Sequence, residues 1–370
     1  MKLFDPRPKS HLNEFFDREE ELNEFIRSVN TSPLTLVLGL RRYGKTSLIL
    51  TGLNSIKAKY LYIDCRMLPS GMIGVSDFTQ LLAMALNRFT RRYRSLRSAL
   101  FRLLEGVSGV HVGAFGIAVN LRRFQPSNLM ELFESLNELD ERVILVIDEA
   151  QELRRMARYR ADQLLAYIYD NFRNLRLVLS GSQIGLLHRL LRLDDSAAPL
   201  YGRAYAEIRL RRLSNELSRE FLKRGFEEQG LSPPEDFIDY VVDSVDGVIG
   251  WLTYIGFKVS ILKSFSREAV DEVLEEAFKI VLEELENFLS LRPMARRRYV
   301  EALRAIALLD EASWSNIYGY VQARVGRVPK PTFNAILRNL ADAGFIEKRG
   351  ATYAIVDPIL KGALIRRIAT

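Results

Sequence analysis

Short apolar runs alternate with amphipathic segments along the first half of the chain. The runs LTLVLG, YLYIDC, RVILVID and LRLVLSGS, found between residues 34 and 182, have the length and the β-branched content of buried strands. The segments between them carry apolar residues at helical spacing. This alternation predicts a parallel sheet covered by helices, which is an α/β fold.

The hydrophobic pattern changes after about residue 212. Residues 213–290 show helical spacing only, and residues 291–370 show three further helix patterns followed by the hairpin-like FIEKRGATYAIVD. Three helices and a hairpin are typical of a winged helix, whose recognition helix would cover about residues 331–342. The predicted domains are therefore an α/β domain at 1–212 with a lead-in segment at 1–30, a helical domain at 213–290 and a winged-helix domain at 291–370.

The composition excludes several classes of protein. Hydrophobic residues make up 48% of the chain and charged residues 27%, as in ordinary globular domains. The single cysteine, Cys65, excludes a disulfide framework and indicates a reducing, cytoplasmic compartment. No run reaches the roughly 20 apolar residues that span a bilayer, so no membrane association is expected. The glycine-rich residues 106–121 predict a strand pair or a loop.

The residues between the first strand and the next helix fit a phosphate-binding loop. Gly39, Gly44, Lys45 and Thr46 form the pattern G-x-x-x-x-G-K-T. The glycines allow successive backbone N–H groups to point at phosphate oxygens, and the lysine adds positive charge at the β and γ phosphates. The threonine hydroxyl is suited to bind Mg²⁺. The predicted nucleotide contacts in this loop are Gly39, Leu40, Arg41, Arg42, Tyr43, Gly44, Lys45, Thr46 and Ser47.

Polar side chains follow two further strands. Asp148 and Glu149 come directly after the apolar Val143–Ile147, and open α/β sheets bind ligands at this end of their strands. We expect Asp148 to hold Mg²⁺, directly or through water, and Glu149 to polarise an attacking water. The fourth run ends in Ser180 and Ser182, whose hydroxyls either bond the γ-phosphate or the water, or cap the next helix.

The sequence resembles the archaeal ATPase family within the STAND branch of the AAA+ P-loop NTPases. The resemblance covers about residues 12–260 and is carried by FFDREEEL, GLRRYGKTSL, VILVIDEAQEL, LVLSGSQIGLL, PLYGRAYAEIRLRRL and DGVIGWLTYIG, in family order. It implies binding of ATP or ADP with Mg²⁺, ATP hydrolysis, and a helical lid over the nucleotide. A winged helix often follows the lid in similar proteins.

The resemblance also implies roles for single residues near the γ-phosphate. Ser182, or alternatively Ser180, matches a polar sensor that follows the fourth core strand. Arg203, in LYGR, matches an arginine that faces the γ-phosphate from its own chain or from a neighbouring chain. A surface position in the basic run that continues to Arg212 is the alternative for this arginine.

Three residues match positions around the base and sugar. The resemblance implies that Phe16 and Arg18 contact these groups. Ile249 stands where related proteins often carry a proline against the adenine, so an apolar contact is retained but the rigid turn is lost. This departure, together with the absence of a clear second sensor arginine in the lid region, favours slow hydrolysis that serves as a conformational switch.

Basic charge is concentrated in two parts of the chain. The net charge is +7, and residues 313–370 contain nine Lys or Arg against three Asp or Glu. Such a local excess attracts the phosphate backbone of double-stranded DNA, although winged helices of similar proteins also serve as packing or autoinhibitory modules. A second basic stretch, residues 87–104, predicts one helix with a solvated or ion-paired arginine face. The residues expected at DNA are Lys330, Thr332, Asn334, Arg338, Lys348 and Arg349.

Two functional classes follow from these features. In the first, the protein is an ATPase switch, with the possibility of coupling to DNA left open. In the second, it is a DNA-binding regulator or initiator-like protein with nucleotide as a structural or regulatory ligand. A signalling hub that binds protein partners is a weaker alternative, because the chain has no repeat array. The sequence leaves the oligomeric state and the pathway open.

Overall fold

The structure is a computed structural model that describes residues 2–113, 116–120, 125, 127–157 and 159–369, with side chains up to residue 366. The chain divides into two compact units. The first unit is Pro8–Leu210, and the second joins the N-terminal segment that ends at Arg7 to the chain from Arg211 onwards. The second unit is therefore discontinuous in the sequence.

A parallel sheet forms the centre of the first unit. The strands of this unit are β1 (Leu34–Leu38), β2 (Lys59–Asp64), β3 (Val110–Gly113), β4 (Gly116–Val119), β5 (Val143–Asp148), β6 (Leu175–Gly181) and β7 (Ala206–Arg209). Five of them form the sheet in the order β2-β5-β6-β1-β7, and all neighbours in it are parallel. The predicted α/β fold and its four strands are confirmed.

Helices cover this sheet, as the alternation of patterns predicts. Strands β1 and β5 are buried along their whole length, which explains why their sequences are continuous apolar runs. Strand β2, at one edge, contains both buried and half-buried residues. The helices of the unit are α1 (Glu19–Thr31), α2 (Lys45–Ser55), α3 (Val75–Arg92), α4 (Arg94–Glu105), α5 (Asn128–Asn137), α6 (Ala161–Asn171) and α7 (Ile184–Leu191).

Residues 106–121 contain a pair of strands, whereas residues 87–104 do not form a single helix. Strands β3 and β4 pair antiparallel, which confirms a strand pair within residues 106–121. The prediction of one helix over residues 87–104 is wrong, because α3 ends at Arg92 and α4 begins at Arg94. Tyr93 separates them: its ring packs against Phe89 and its hydroxyl donates to the Ala58 carbonyl at 3.1 Å. These tertiary contacts outweigh the local helical preference.

The second unit is mainly helical and contains a small antiparallel sheet in the order β8-β10-β9. Within the part of the chain that the structure describes, no helix has both the length and the apolar content needed to cross a membrane. The elements of the unit are α8 (Asn215–Glu227), α9 (Glu235–Val245), α10 (Ile249–Leu262), α11 (Arg267–Ser290), α12 (Arg296–Leu309), β8 (Glu311–Ser313), α13 (Trp314–Val325), α14 (Lys330–Asp342), β9 (Ile346–Arg349), β10 (Thr352–Ile355) and α15 (Pro358–Ala369).

The N-terminal segment supplies part of the core of this second unit. Phe4 is fully buried, and its ring centroid lies 5.7 Å from that of Phe221 and 4.9 Å from that of Phe226. A Cβ atom at Gly225 would lie 2.3 Å from the Phe4 ring, and one at Gly256 would lie 2.5 Å from it. The two glycines therefore leave the space that the phenylalanine ring fills.

Candidate functional site

The phosphate-binding loop leaves the sheet between two neighbouring strands. Strand β1 is flanked by β6 and β7, and the loop connects β1 to helix α2. Gly44 precedes the helix with φ 87° and ψ 16°, a left-handed conformation that favours glycine. A Cβ atom at Gly39 would lie 3.1 Å from the Leu210 side chain. Gly44 thus meets a conformational requirement, and Gly39 meets a packing requirement.

Lys45 is buried at the start of α2. Its side chain is 5% exposed, its Nζ donates to the Leu40 carbonyl at 3.0 Å, and it lies 3.9 Å from Glu149 Oε1. Burial lowers the pKa of the Lys45 ammonium, and the carboxylates of Glu149 and Asp148 counteract only part of that effect. The ammonium is therefore held inside the loop, where it faces the carboxylate that follows β5.

Thr46 and Asp148 are joined by a direct hydrogen bond. Thr46 Oγ1 donates to Asp148 Oδ2 at 2.8 Å, and Tyr62 donates to the same oxygen. The Ser180 hydroxyl donates to Asp148 Oδ1, and the Glu149 backbone N–H donates to it at 3.1 Å. Asp148 is 1% exposed, so these donors compensate for the burial of its charge.

Glu149 is oriented by side chains from two elements. Its Oε2 accepts hydrogen bonds from the Ser182 hydroxyl, from the Ser182 backbone N–H at 3.2 Å and from Gln151 Nε2 at 2.6 Å. Burial would raise the pKa of the Glu149 carboxyl, but Lys45 and these hydrogen bonds outweigh it and keep the pKa below its ordinary value.

The backbone at Glu149 has an uncommon conformation. Its φ of 52° and ψ of 47° lie in the left-handed region, which residues other than glycine rarely adopt. Such conformations cost on the order of 1 kcal/mol and occur often at functional sites. The conformation comes directly after β5 and lets the carboxylate reach Ser182, which follows the neighbouring strand β6.

The two serines after β6 take different positions. The Ser180 hydroxyl donates to the Asp148 carboxylate, whereas the Ser182 hydroxyl donates to the Glu149 carboxylate. Both are buried. The alternative in which one of these hydroxyls caps helix α7 receives no support, because α7 begins at Ile184 and its N-cap residue, Gln183, makes no side-chain cap hydrogen bond.

Two residues of the site were not singled out from the sequence. Tyr62 lies on β2 and hydrogen-bonds Asp148, and Gln151 follows Glu149 and bonds its carboxylate. Burial and the neighbouring Asp148 raise the pKa of the Tyr62 hydroxyl well above its usual range, so it stays a hydrogen-bond donor. The one sequence signal for Tyr62 is its place near the end of the predicted strand YLYIDC. The pairing of this strand with the one that ends in Asp148 is known from the structure alone.

Arg203 contacts a helix of its own unit. Its guanidinium donates to both oxygens of Asp170, at 2.8 and 2.6 Å, and also to the Pro199 carbonyl. The hydrogen bond to Asp170 and its charge raise the pKa of Arg203. The structure therefore places Arg203 in an ion pair at the end of α6, and none of its hydrogen bonds among the described residues goes to the phosphate loop.

The remaining predicted nucleotide contacts lie in different parts of the chain. Phe16 and Arg18 are buried just before α1, where Arg18 adopts a φ of 70° and donates to Glu21 at 2.9 Å. Ser47 accepts a hydrogen bond from the Lys9 backbone N–H at 3.0 Å. Ile249 is the first residue of α10, in the second unit.

The residues predicted at DNA belong to α14 and β9. Thr332 is half-buried, whereas Lys330, Asn334, Arg338 and Lys348 are exposed. Asn334 accepts a hydrogen bond from the Trp314 indole at 2.7 Å.

Arg349, on β9, differs from the other basic residues because it is ion-paired. It contacts Glu311 at 2.9 Å and Glu347 at 2.5 Å. Hydrogen bonds to these two carboxylates raise the pKa of its guanidinium. Its charge is therefore already compensated within the protein.

Comparison with known proteins gives the family of this chain. The model of a family described as an ATPase domain predominantly from Archaea matches residues 15–255. The solved structure of a Walker-type ATPase of Pyrococcus abyssi is 35% identical to this chain, with a TM-score of 0.83. That match covers 98% of this chain and 99% of the other.

Two further similarities are more distant. An uncharacterized ATP-binding protein of Pyrococcus abyssi is 26% identical over 239 residues, and the match covers 60% of this chain and 66% of that relative, just under two thirds of its length. Cdc6p from Pyrobaculum aerophilum is 16% identical with a TM-score of 0.51, over 99% of this chain and 97% of that chain, which is a likeness of fold alone. The family model matches more than half of the chain. The chain therefore belongs to the family of ATPase domains found predominantly in Archaea and is a nucleotide-binding P-loop ATPase.

Proposed function

We propose that this ATPase requires Mg²⁺, hydrolyses ATP slowly and acts as a conformational switch. The observation that carries the proposal is the arrangement of four side chains around one edge of the sheet. Thr46 donates to Asp148 at 2.8 Å, and Lys45 lies 3.9 Å from Glu149. These are the groups that ATP hydrolysis needs: a cation for the phosphates, oxygen ligands for a metal, and a carboxylate for water.

In this proposal Thr46 and Asp148 hold the magnesium ion. A hydroxyl and a carboxylate are the oxygen ligands that Mg²⁺ prefers, and the ion usually keeps waters and phosphate oxygens as its other ligands. Asp148 is almost fully buried and oriented by several donors, which favours a fixed ligand position. The bound ion would neutralise charge on the β and γ phosphates.

Glu149 is proposed to orient the attacking water and to accept a proton from it. The water oxygen forms a bond to the γ-phosphorus while the bond from that phosphorus to the β-phosphate oxygen breaks, so ADP leaves and inorganic phosphate is formed. Lys45 stabilises negative charge on the phosphate oxygens during this step. Ser182 keeps the Glu149 carboxylate in place through its hydroxyl and its backbone N–H.

The environment of Glu149 supports slow turnover. Ser182 and Gln151 both donate to Oε2, and Lys45 lies near Oε1, so neither carboxylate oxygen is without a partner. The same contacts lower the pKa of the carboxyl, which makes it a weaker base. A weak and restrained base slows the chemical step and prolongs the ATP-bound state, as a switch requires.

Steady-state ATP hydrolysis at increasing Mg²⁺ tests this function. We expect Lys45→Ala to lose both nucleotide binding and turnover. Glu149→Gln should keep ATP binding and lose about a hundredfold or more in kcat, because the base is removed and the phosphate contacts remain. Glu152→Gln, which neutralises a nearby carboxylate paired with Arg155, is the matched control and should behave as the wild type. Turnover that persists in Glu149→Gln would contradict the proposal.

A second candidate function is binding of double-stranded DNA by residues 291–370. We propose that these residues form a winged helix and residues 213–290 a lid. The supporting observation is the exposure of Lys330 and Arg338 on α14 and of Lys348 on β9. None of the three pairs with a carboxylate among the described residues, so their charges remain available to phosphates.

Binding of a duplex at several salt concentrations tests this second function. The double variant Lys330→Ala/Arg338→Ala should weaken binding and reduce the salt slope by roughly one for each phosphate contact that is lost. Lys279→Ala removes an exposed charge from α11 and is the matched control. Equal duplex affinity of the double variant and the wild type would refute DNA binding by α14. A change in ATP turnover on addition of DNA would show that the two functions are coupled.

A further inference from the structure

A cavity of about 1200 Å³ lies within the first unit, beside the edge strand β2. Its walls come from helices α2 and α3, from β2 and from the segment at residues 8–13. Asn54, on α2, donates to the Ser10 carbonyl at 2.9 Å and so attaches this segment to the helix. The volume exceeds the roughly 300–1,000 Å³ of most ligand pockets, so the cavity has room for a ligand of nucleotide size or larger.

The wall of this cavity is strongly basic. It carries five cationic side chains against a single carboxylate, and such an excess of one sign concentrates ligands of the opposite charge. The charged residues in the wall are Lys57, Lys59, Asp64, Arg66, Arg88 and Arg92.

Two of these cations already have acidic partners. Arg66 pairs with Asp64 at 2.7 Å, and Lys59 lies 3.8 Å from Glu141. Their charges are therefore partly compensated within the protein, and they are weaker candidates for binding an added anion.

Arg88 and Arg92 differ from them. Both are exposed on α3, one helical turn apart, and neither forms an ion pair with a carboxylate of the described residues. Arg92 donates to the neutral acceptors Tyr60 Oη and Asn54 Oδ1, and Arg88 contacts the Met67 sulfur at 3.8 Å. Each guanidinium is a planar set of N–H donors that suits phosphate oxygens.

One end of the cavity reaches the candidate nucleotide site. Tyr62 and Thr46 both line the cavity, and both donate to Asp148 Oδ2. Thr51 also lies in the wall, and its buried hydroxyl has no hydrogen-bond partner among the described residues. The cavity thus combines two arginines that form no ion pair among the described residues with an unsatisfied hydroxyl, and it adjoins the residue proposed to hold the metal.

We propose that this cavity is a second binding site, for a ligand that carries a chain of phosphate groups, and that Arg88 and Arg92 bind those phosphates. The wall includes Thr46 but neither Lys45 nor the loop glycines, so the site adjoins the phosphate loop without coinciding with it. A ligand there would contact Tyr62 and so act on the hydrogen bonds of Asp148. The phosphates can come from a free polyphosphorylated compound or from a nucleic acid strand.

Tripolyphosphate is a suitable probe, used on the full-length protein with the phosphate loop saturated by ADP and Mg²⁺. Calorimetry should detect binding of tripolyphosphate to this ADP-loaded protein. The double variant Arg88→Ala/Arg92→Ala should weaken that binding by about tenfold or more, because two charge-assisted hydrogen-bond donors are lost. Arg91→Ala removes an equally exposed arginine of α3 that is not in the wall, and it should bind as the wild type does.

Two results would overturn the proposal: no binding of tripolyphosphate once ADP is in place, or equal binding by the double variant and the wild type. Unchanged ADP affinity of the double variant shows that its first unit is still folded. A short single-stranded oligothymidylate, added as competitor, distinguishes the two sources of phosphate groups, a free polyphosphorylated compound and a nucleic acid strand. Displacement of tripolyphosphate assigns the site to a nucleic acid strand and no displacement assigns it to a free polyphosphate, and both results support the proposal.

Discussion

The Thr46 hydroxyl donates to the Asp148 carboxylate at 2.8 Å, although 102 residues separate them in the sequence. Thr46 belongs to the helix that follows β1, and Asp148 is the last residue of β5. Strand β6 lies between these two strands, so the ends of three adjacent parallel strands meet at one edge. This hydrogen bond joins the phosphate loop to the carboxylate pair.

Substitution of Thr46 by alanine should weaken the response to magnesium. The variant loses one proposed metal ligand and the donor to Asp148, so we expect the Mg²⁺ concentration for half-maximal turnover to rise by about tenfold. Titration of ATPase activity with Mg²⁺ measures this shift. Thr46→Ser keeps the hydroxyl and should remain close to the wild type. An unchanged Mg²⁺ dependence in Thr46→Ala would remove Thr46 from the metal site.

Substitution of Ser182 by alanine should move the acidic limb of the pH profile. The pKa of Glu149 lies below its ordinary value of 4.5, so its carboxylate stays ionised as the pH is lowered. Turnover is lost only as the pH falls through that lowered pKa. Ser182→Ala removes one donor, which raises the pKa of Glu149 and shifts the acidic limb to higher pH. The measurement is kcat/KM for ATP as a function of pH.

The conservative variant Ser182→Thr retains a hydroxyl and is the control for this shift. A limb that stays in place in Ser182→Ala would show that the Ser182 hydroxyl does not tune Glu149. At neutral pH the alanine variant also tests the explanation of slow turnover, because a stronger and less restrained base should raise kcat.

Arg203 and Asp170 offer a test of the proposed γ-phosphate arginine. Both side chains of this ion pair are partly exposed, at 30% and 42%, so removal of either partner should change the stability by no more than about 1 kcal/mol. If Arg203 stabilises the transferred phosphate, Arg203→Ala should lower kcat by about 10³-fold, whereas Asp170→Asn should retain turnover. The two variants break the same ion pair, and similar kcat values for both would assign Arg203 a surface role.

The sequence predicts those parts of the site that depend on a local pattern. The phosphate loop has a fixed spacing, and the run that ends in Asp148 is apolar along its whole length because β5 is buried. Tyr62 could not be predicted in the same way. Its role depends on the pairing of β2 with β5, which places Asp64 opposite Asp148, and pairing between distant segments leaves no local signal.

Long-range packing explains two further differences from the sequence-based expectations. Arg203 matches a functional arginine in the resemblance, but its pairing with Asp170 could not be predicted, since 33 residues separate the two. The sequence pattern predicts that the whole lead-in at residues 1–30 belongs to the α/β domain. The structure groups the N-terminal segment that ends at Arg7 with the second unit, where Phe4 packs against Phe226.

Phe4 therefore provides a stability test for the second unit. Phe4→Ala removes a fully buried ring and leaves a cavity, which should destabilise this unit by about 3–5 kcal/mol. Both tryptophans of the chain, Trp251 and Trp314, belong to the second unit, so their fluorescence reports its unfolding. In urea we expect this fluorescence transition to move to a clearly lower denaturant concentration.

The exposed Leu12 is the control for this test. It lies in the first unit and is 57% exposed, so Leu12→Ala should leave the fluorescence transition unchanged. A fluorescence transition that Phe4→Ala does not move would place the N-terminal segment outside the core of the second unit.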